Sequence, residues 1–562
     1  MSDDTATEQR AYDHRLQRRL KILKEQLDAG SVEFMKGSQV IESLKRVRYA
    51  PDGSVDLSTV DASVRATALA MEFMHDRQEL KDAASLADLQ LEYFGFLDRQ
   101  FGELFKTMRK RRATPHQVAM AFSRTPGAVR DTLKDLPRFV SAVEEFWRSA
   151  GPTAIAHVED MHDSLKGVFG GDLFPTHSEN IASKCGLYTD TIVLPDPFLR
   201  SKHIFERSDD QRKIYYAIKH GMNLLQYKEL ACAEVSPPVV VVLPDTSIIE
   251  DGERSLYYKL GAGDAVIHAT KLFGRDFSSF DEVIEFCKAL DTAERAALAI
   301  RDESRFLFGA DTGGSFRERL AAFFSDPFVT ELNGTTIPGL LIASQELGRM
   351  STINELLGKA SRLQGTPIID APRSWQYFVW KLEYDAERFR NAKGGKDLHI
   401  VRGLQALAEN EMKWLGKIPS KALIEIRKTG ALSEIRGILG SGIEELATAK
   451  PANFCRTSDR VFDNITAAFV EHQKDIDTLR AKKWKFAGKD IGSWLVVGSL
   501  AATAAATGVP VWGLAALAAD QLLAAPKLRE LPASARRLAK EGKDLQRSPV
   551  GMLFKLKGKS HE

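Results

Sequence analysis

Thr191-Ile192-Val193-Leu194, followed by Pro195-Asp196, and Val239-Val240-Val241-Val242-Leu243, followed by Pro244-Asp245, are the two stretches that decide the fold. Both are short, rich in β-branched residues and continuously apolar rather than alternating, which suits strands buried on both faces. Between them, Ser208 to Glu234 carries Ile214, Ile218, Met222 and Leu225 at helical spacing. Strand, helix and strand in that order form a crossover between parallel strands. A third short run, Pro367-Ile368-Ile369, is also followed by an aspartate, Asp370. The fold read from these stretches is mainly α, with a small parallel βαβ unit placed at 171–275.

Working outward, residues 1–170 read as a helical N-terminal region. Leu16, Leu20, Leu23 and Leu27 form one apolar stripe, and Leu86, Leu89, Tyr93, Leu97, Phe101 and Leu104 another. Residues 276–450 return to helical patterns, broken at Gly313-Gly314, Pro338-Gly339 and Gly394-Gly395. Residues 451–562 form a C-terminal helical region with an apolar hairpin at 491–525. A chain of 562 residues exceeds what one core organises, so about three or four units are expected.

The formal charge of +2 gives no global pull toward nucleic acid or anionic lipid, so any such affinity must be local. Cys185, Cys232, Cys287 and Cys455 are scattered, which suits a reducing compartment. The polar start, Met1 to Arg15, lacks the apolar core of a secretion signal, so the expected location is cytoplasmic. His157 and His162 lie five apart rather than four, no spacing marks a metal site, and nothing names a cofactor.

Ile491 to Ala519 contains no charged residue. That passes the length of roughly 20 residues needed to span a bilayer, although Ala, Gly and Thr dominate. Gly508 and Pro510 divide it into two arms, which bear Trp494, Leu495 and Leu500 on one side and Trp512, Leu514 and Leu517 on the other. Basic flanks, Arg480 to Lys489 before and Lys527 to Lys543 after, favour a hairpin that keeps both ends on the cytoplasmic face of the inner membrane. The alternative is an Ala-rich hairpin buried in the fold or against partner helices. The tail Phe554-Lys555-Leu556-Lys557-Gly558-Lys559 adds basic charge that suits anionic lipid or a frayed end.

Three further cues bear on chemistry. Ala113 to Leu133 resembles a helix-turn-helix of the sigma-factor-like kind, with Val118, Ala119, Phe122, Val129 and Leu133 facing inward and Ser123 where that pattern has Gly. The resemblance implies DNA contact by its second helix through Arg130 and Lys134, with Arg109, Lys110, Arg111 and Arg112 gripping phosphates. Gly261-Ala262-Gly263-Asp264-Ala265 resembles the anion-hole turn of ribokinase-type sugar kinases, but Tyr258-Lys259-Leu260 departs from that family's lead. Asp196 and Asp245, at the ends of neighbouring strands, are the candidate catalytic carboxylates, because ligands of open parallel sheets bind beyond the strands' carboxyl ends. The same aspartates also suit plain helix capping.

The expectation drawn from these features is an intracellular multi-domain interaction protein, bacterial in type, whose hairpin engages membrane or partner helices. Its speculative setting is bacterial stress or antiviral (phage) defence. Two alternatives stand beside it: an enzyme acting on phosphate or nucleic acid through the α/β unit, and a DNA-associated protein using 113–133.

Overall fold

The computed structural model describes residues 3–35, 38–51, 53–172, 181–244, 253–308, 313–385, 395–409, 412–442, 454–481, 485–486, 489–490, 544 and 547–559. Asp245 and the apolar segment 491–525 lie outside them. Among the described residues no helix is long and apolar enough to cross a membrane. The chain divides into two compact units, one formed by Met1–Leu89 with Pro152–Asp160, the other by Gln90–Gly151 with Met161–Glu562.

In the first unit, α1 (Asp3–Asp28) and α2 (Ala62–Ala83) lie against one another. The stripe Leu16, Leu20 and Leu23 is buried against Val55, Val60, Val64 and Ala68, with Leu27 at the margin. Burying each such Leu or Val contributes about 1.5–3 kcal/mol, far more than the charges beside them. Asp61 caps α2 by accepting from the amides of Ser63 and Val64. Arg77 then bonds Glu159 and Asp160, and Lys81 bonds Asp160 at 2.6 Å, all partly shielded from water.

The second unit runs through α3 (Leu86–Lys110, whose first turn belongs to the first unit), α4 (Pro115–Ser123) and α5 (Pro126–Glu159, whose last turns belong to the first unit). It continues with α6 (Asp210–Leu225), α7 (Glu253–Phe273), α8 (Pro338–Arg362), α9 (Pro372–Tyr384) and α10 (Gly395–Glu409). The last long helices are α11 (Phe454–Ala481) and α12 (Pro549–Lys559). Inside this unit sits a four-stranded sheet of β1 (Lys166–Phe169), β2 (Thr191–Pro195), β3 (Val240–Leu243) and β4 (Gly365–Ile368). All pairings are parallel and the order is β3-β2-β1-β4.

The expected crossover is present: β2, α6 and β3 follow in sequence, with Ile192 opposite Val240 and Leu194 opposite Val242. Asp209 caps α6 through the amide of Arg212. The sheet is wider than the sequence indicated. β1 draws on Lys166-Gly167-Val168-Phe169, and β4 comes from beyond 275, so the unit read at 171–275 extends from 166 to 368. The Lys at its start and the Gly in its middle hide β1 from an apolar pattern. In the fold Lys166 is fully buried, its ammonium donating to the Met161 carbonyl at 2.8 Å.

Between β3 and β4 lies a helical layer whose core includes Leu272, Phe273, Cys287, Leu320 and Leu341. Gly261-Ala262-Gly263-Asp264 falls within α7 and forms no anion-hole turn. A Cβ on Gly261 would come within 2.8 Å of the Ser351 backbone on α8, so the glycine permits a close helix crossing. Asp264 is buried and bonds Lys381 at 2.8 Å and the Asn354 amide at 2.6 Å. The basic tail is a packed helix rather than a frayed end: Leu553 and Leu556 of α12 are buried, and Lys557 lies over the Phe469 ring of α11.

Candidate functional site

The strand order sets where a site can form. From β1 the chain moves to one side, to β2 and then β3, and it returns across the sheet to place β4 on the other side of β1. In open parallel sheets a ligand site is expected beyond the carboxyl ends where the strand order changes direction, which here is next to β1 and β4. The residues there are Gly170-Gly171-Asp172 after β1 and Ile369-Asp370 after β4, followed by the start of α9.

Gly171 has φ of 80°, a conformation that suits a residue without Cβ, and an added Cβ would also press on Ile369 and Leu356 at 3.1–3.2 Å. This turn aims Asp172 at α9. There the Ser374 hydroxyl donates to the Asp172 carboxylate, and Arg349 of α8 donates to the Ser374 oxygen at 2.9 Å. Asp172 is 6% exposed. Burial pushes its carboxyl up to about 6; Ser374 and Arg349 oppose the rise, and the neighbouring Asp370 adds to it.

The surroundings of Asp172 on the side of α8 and α9 are basic. Burial lowers Arg373 to about 10, with the guanidinium of Arg349 as a further cause, so two like charges share the start of α9. Arg349 is itself held below the usual arginine range by burial, and its Nε is buried with no hydrogen-bond partner. Neither guanidinium has a carboxylate within ion-pair distance among the described residues. The helix starts at Pro372 after Ala371, which supplies no side-chain cap, so its first-turn N–H groups add positive potential at the same place. Around the rim the charges are matched: Lys184 bonds Asp370 at 2.8 Å, and Arg200 bonds Glu355 at 2.9 Å while reaching the Asp172 carbonyl.

Asp196 has a different setting. It is fully buried, and one oxygen caps the short helix Pro197–Arg200 through the amides of Phe198 and Leu199. The other accepts from the Tyr93 hydroxyl at 2.5 Å and the Trp147 indole at 2.6 Å. These four donors occupy both oxygens and tie α3 and α5 to the end of β2. Asp196 therefore stands as a cap and tie, without the open face that shared cation binding requires. Asp245 lies outside the described residues, and Asp370 faces Lys184 rather than Asp196.

Near the same edge, the Ser201 hydroxyl and His220 Nε2 lie 2.8 Å apart, both buried, beside a small cavity lined by Phe169, Leu194 and Asn223. At about 10 Å³ it has room for about one water molecule. In the first unit His75, Asp76 and Glu79 lie close enough for a cation, but Asp76 pairs with Arg18 and His75 with Glu79.

The helix pair at 113–133 exists as α4 and α5. Arg109, Lys110, Arg111 and Arg112 are exposed, as are Arg130 and Lys134. Its second helix runs 34 residues, and its first packs on α6, with His116 bonding Tyr215 at 2.8 Å. Sequence reading missed Asp172, Arg349, Arg373 and Ser374. The available signal was Gly170-Gly171-Asp172, which marks a turn but is legible as a strand end only once β1 is known. No protein family, no curated protein and no solved structure matches the chain.

Proposed function

We propose that the α/β part of the chain binds a phosphate-bearing ligand beyond the carboxyl ends of β1 and β4, and acts on it with Asp172 as the proton-exchanging group. The observation that carries this reading is the pair Arg349 and Arg373, partly buried at an uncapped helix start and, among the described residues, without a carboxylate at ion-pair distance. Guanidinium forks match oxyanion geometry, and the helix dipole adds to them. Asp172 contributes the second element. A carboxyl held at about 6 carries a proton part of the time near neutral pH, as a general acid or base requires. This is the enzyme alternative of the sequence, moved from Asp196 to Asp172.

Calorimetric titration of the full chain with sulfate, inorganic phosphate and nucleoside phosphates tests it. Binding should weaken about tenfold in Arg373→Gln, consistent with losing one charge-assisted hydrogen bond. Sulfate keeps its charge across this range, so its affinity should rise as pH falls through about 6 and Asp172 takes up a proton. That dependence should vanish in Asp172→Asn. Wild-type binding left unchanged by Arg373→Gln and Arg349→Gln, or no binding at all, would sink the proposal. Membrane engagement by 491–525 is a separate proposal carried by its sequence. Cell fractionation of the full chain beside one ending near Lys489 tests it, and equal solubility of the two would refute it.

A further inference from the structure

Several arginines of the described residues are matched with acids, as in Arg18 with Glu72, Arg77 with Asp160 and Arg200 with Glu355. One corner instead gathers cations in excess. Nine of the residues from Lys106 to Arg138 are Lys or Arg and two are acidic, so this stretch carries a formal +7 in a chain whose total is +2. Lys106 pairs with Glu103, and Lys134 approaches Asp131 at 3.8 Å. Arg109, Lys110, Arg111 and Arg112 are exposed, as are Arg124, Arg130 and Arg138, and none of them has an ion-pair partner among the described residues.

The local fold concentrates these charges. α3 stops at Lys110, and Arg112, with φ of 53°, reverses the chain. Thr114 then starts α4 with a capping box, and the Arg124-Thr125 turn leads directly into α5. The end of α3 and the start of α5 thus bracket a nine-residue helix. On α5, Arg130, Lys134 and Arg138 recur every fourth residue along one exposed face. Leu136 and Phe139 are buried on the other. Asp131 and Asp135 flank that basic stripe, so it is a row of cations with a defined edge rather than a uniform cloud.

We infer that this corner binds the phosphate backbone of duplex DNA, with the start of α5 directed into the major groove. The inference is independent of the site proposed beyond β1 and β4. The surface chemistry favours this occupant over a lipid surface. No large apolar side chain of the stretch is exposed, whereas helices that lie on membranes bury an apolar face. It favours DNA over duplex RNA because a helix fits the wide major groove of B-form DNA but not the narrow one of A-form RNA.

Fluorescence anisotropy of the full chain with a labelled mixed-sequence DNA duplex provides the test. Log affinity should fall linearly with log salt, by about 0.9 for each phosphate neutralised. Replacing Arg109, Lys110, Arg111 and Arg112 together by Gln should flatten that slope by about 3 and weaken binding on the order of 100-fold at low salt. Arg130→Gln with Lys134→Gln and Arg138→Gln is the second variant, expected to act in the same direction. Circular dichroism and the thermal midpoint should match wild type in both, since all these side chains are exposed. No DNA binding at low salt overturns the inference, as does wild-type affinity in both folded variants. Preference for the same duplex in RNA, or for phosphatidylglycerol vesicles, also overturns it.

Discussion

Asp196 and Asp172 both follow strands of one sheet, both are buried, and both have carboxyls raised by burial, yet their surroundings differ. Asp196 meets four donors: two backbone amides, a tyrosine and a tryptophan. Asp172 meets the single hydroxyl of Ser374, beside an acidic neighbour and two arginines. A carboxylate whose lone pairs are filled holds the fold together. One left under-satisfied beside an acidic neighbour costs stability, and sites that bind and react commonly carry that cost. The comparison teaches that a strand-end aspartate says little by itself; the number of donors aimed at it separates the two roles.

The sharpest way to break this contrast is one substitution, Asp to Asn, made at each position. At Asp196 the amide nitrogen has no lone pair for the Trp147 indole or, if flipped, for the backbone amides. Buried donors then go unsatisfied at about 1–3 kcal/mol each, so Asp196→Asn should destabilise by roughly 4 kcal/mol in chemical denaturation. At Asp172 the sign reverses. With the folded carboxyl at about 6 and the unfolded one near 3.8, the folded state binds more protons between those values, so stability falls as pH rises. Above the folded value the ionised group costs about 3 kcal/mol, at 1.36 kcal/mol per unit. Asp172→Asn should recover most of that at pH 8 and progressively less down to pH 4. Destabilisation by both substitutions at pH 8 would erase the distinction.

Gly171→Ala probes the turn that aims Asp172. Its positive φ and the contacts with Ile369 and Leu356 predict a loss of about 1–2 kcal/mol. Oxyanion binding should weaken with it, and a variant as stable as wild type would show that the turn is slack. The smallest stability effect is expected from Arg373→Gln. Removing one of two neighbouring cations should shift the thermal midpoint little while lowering sulfate affinity about tenfold, near 1.4 kcal/mol. A large stability loss would instead make Arg373 part of the packing.

Much of the fold was legible before any coordinates. The runs 191–194 and 239–243 form neighbouring parallel strands, and the Leu16, Leu20 and Leu23 stripe is a core face. These are local patterns, because period and β-branching follow from how each residue is buried along its own element. Asp196 was found by the same reasoning, and its position at a strand end alone made it a catalytic candidate. Gly261-Ala262-Gly263-Asp264 looked like a turn, whereas Gly261 serves a helix crossing set by Ser351, far along the chain, and Gly263 faces open space.

The sequence by itself determined that the chain is mainly helical, that a parallel βαβ unit lies near its middle, and that positive charge gathers at 106–138. Each is a property of consecutive residues, whose spacing and charge need no distant partner to be read. Only the tertiary structure decided the strand order, and with it the meeting of Asp172, Ser374 and Arg349 beside β1 and β4. Lys166-Gly167-Val168-Phe169 becomes a central strand because β2 and β4 flank it, and Arg349 reaches Asp172 only through Ser374. Burial and the lifted carboxyl are sums over residues far apart in the chain. They acquire values only when the sheet closes around them.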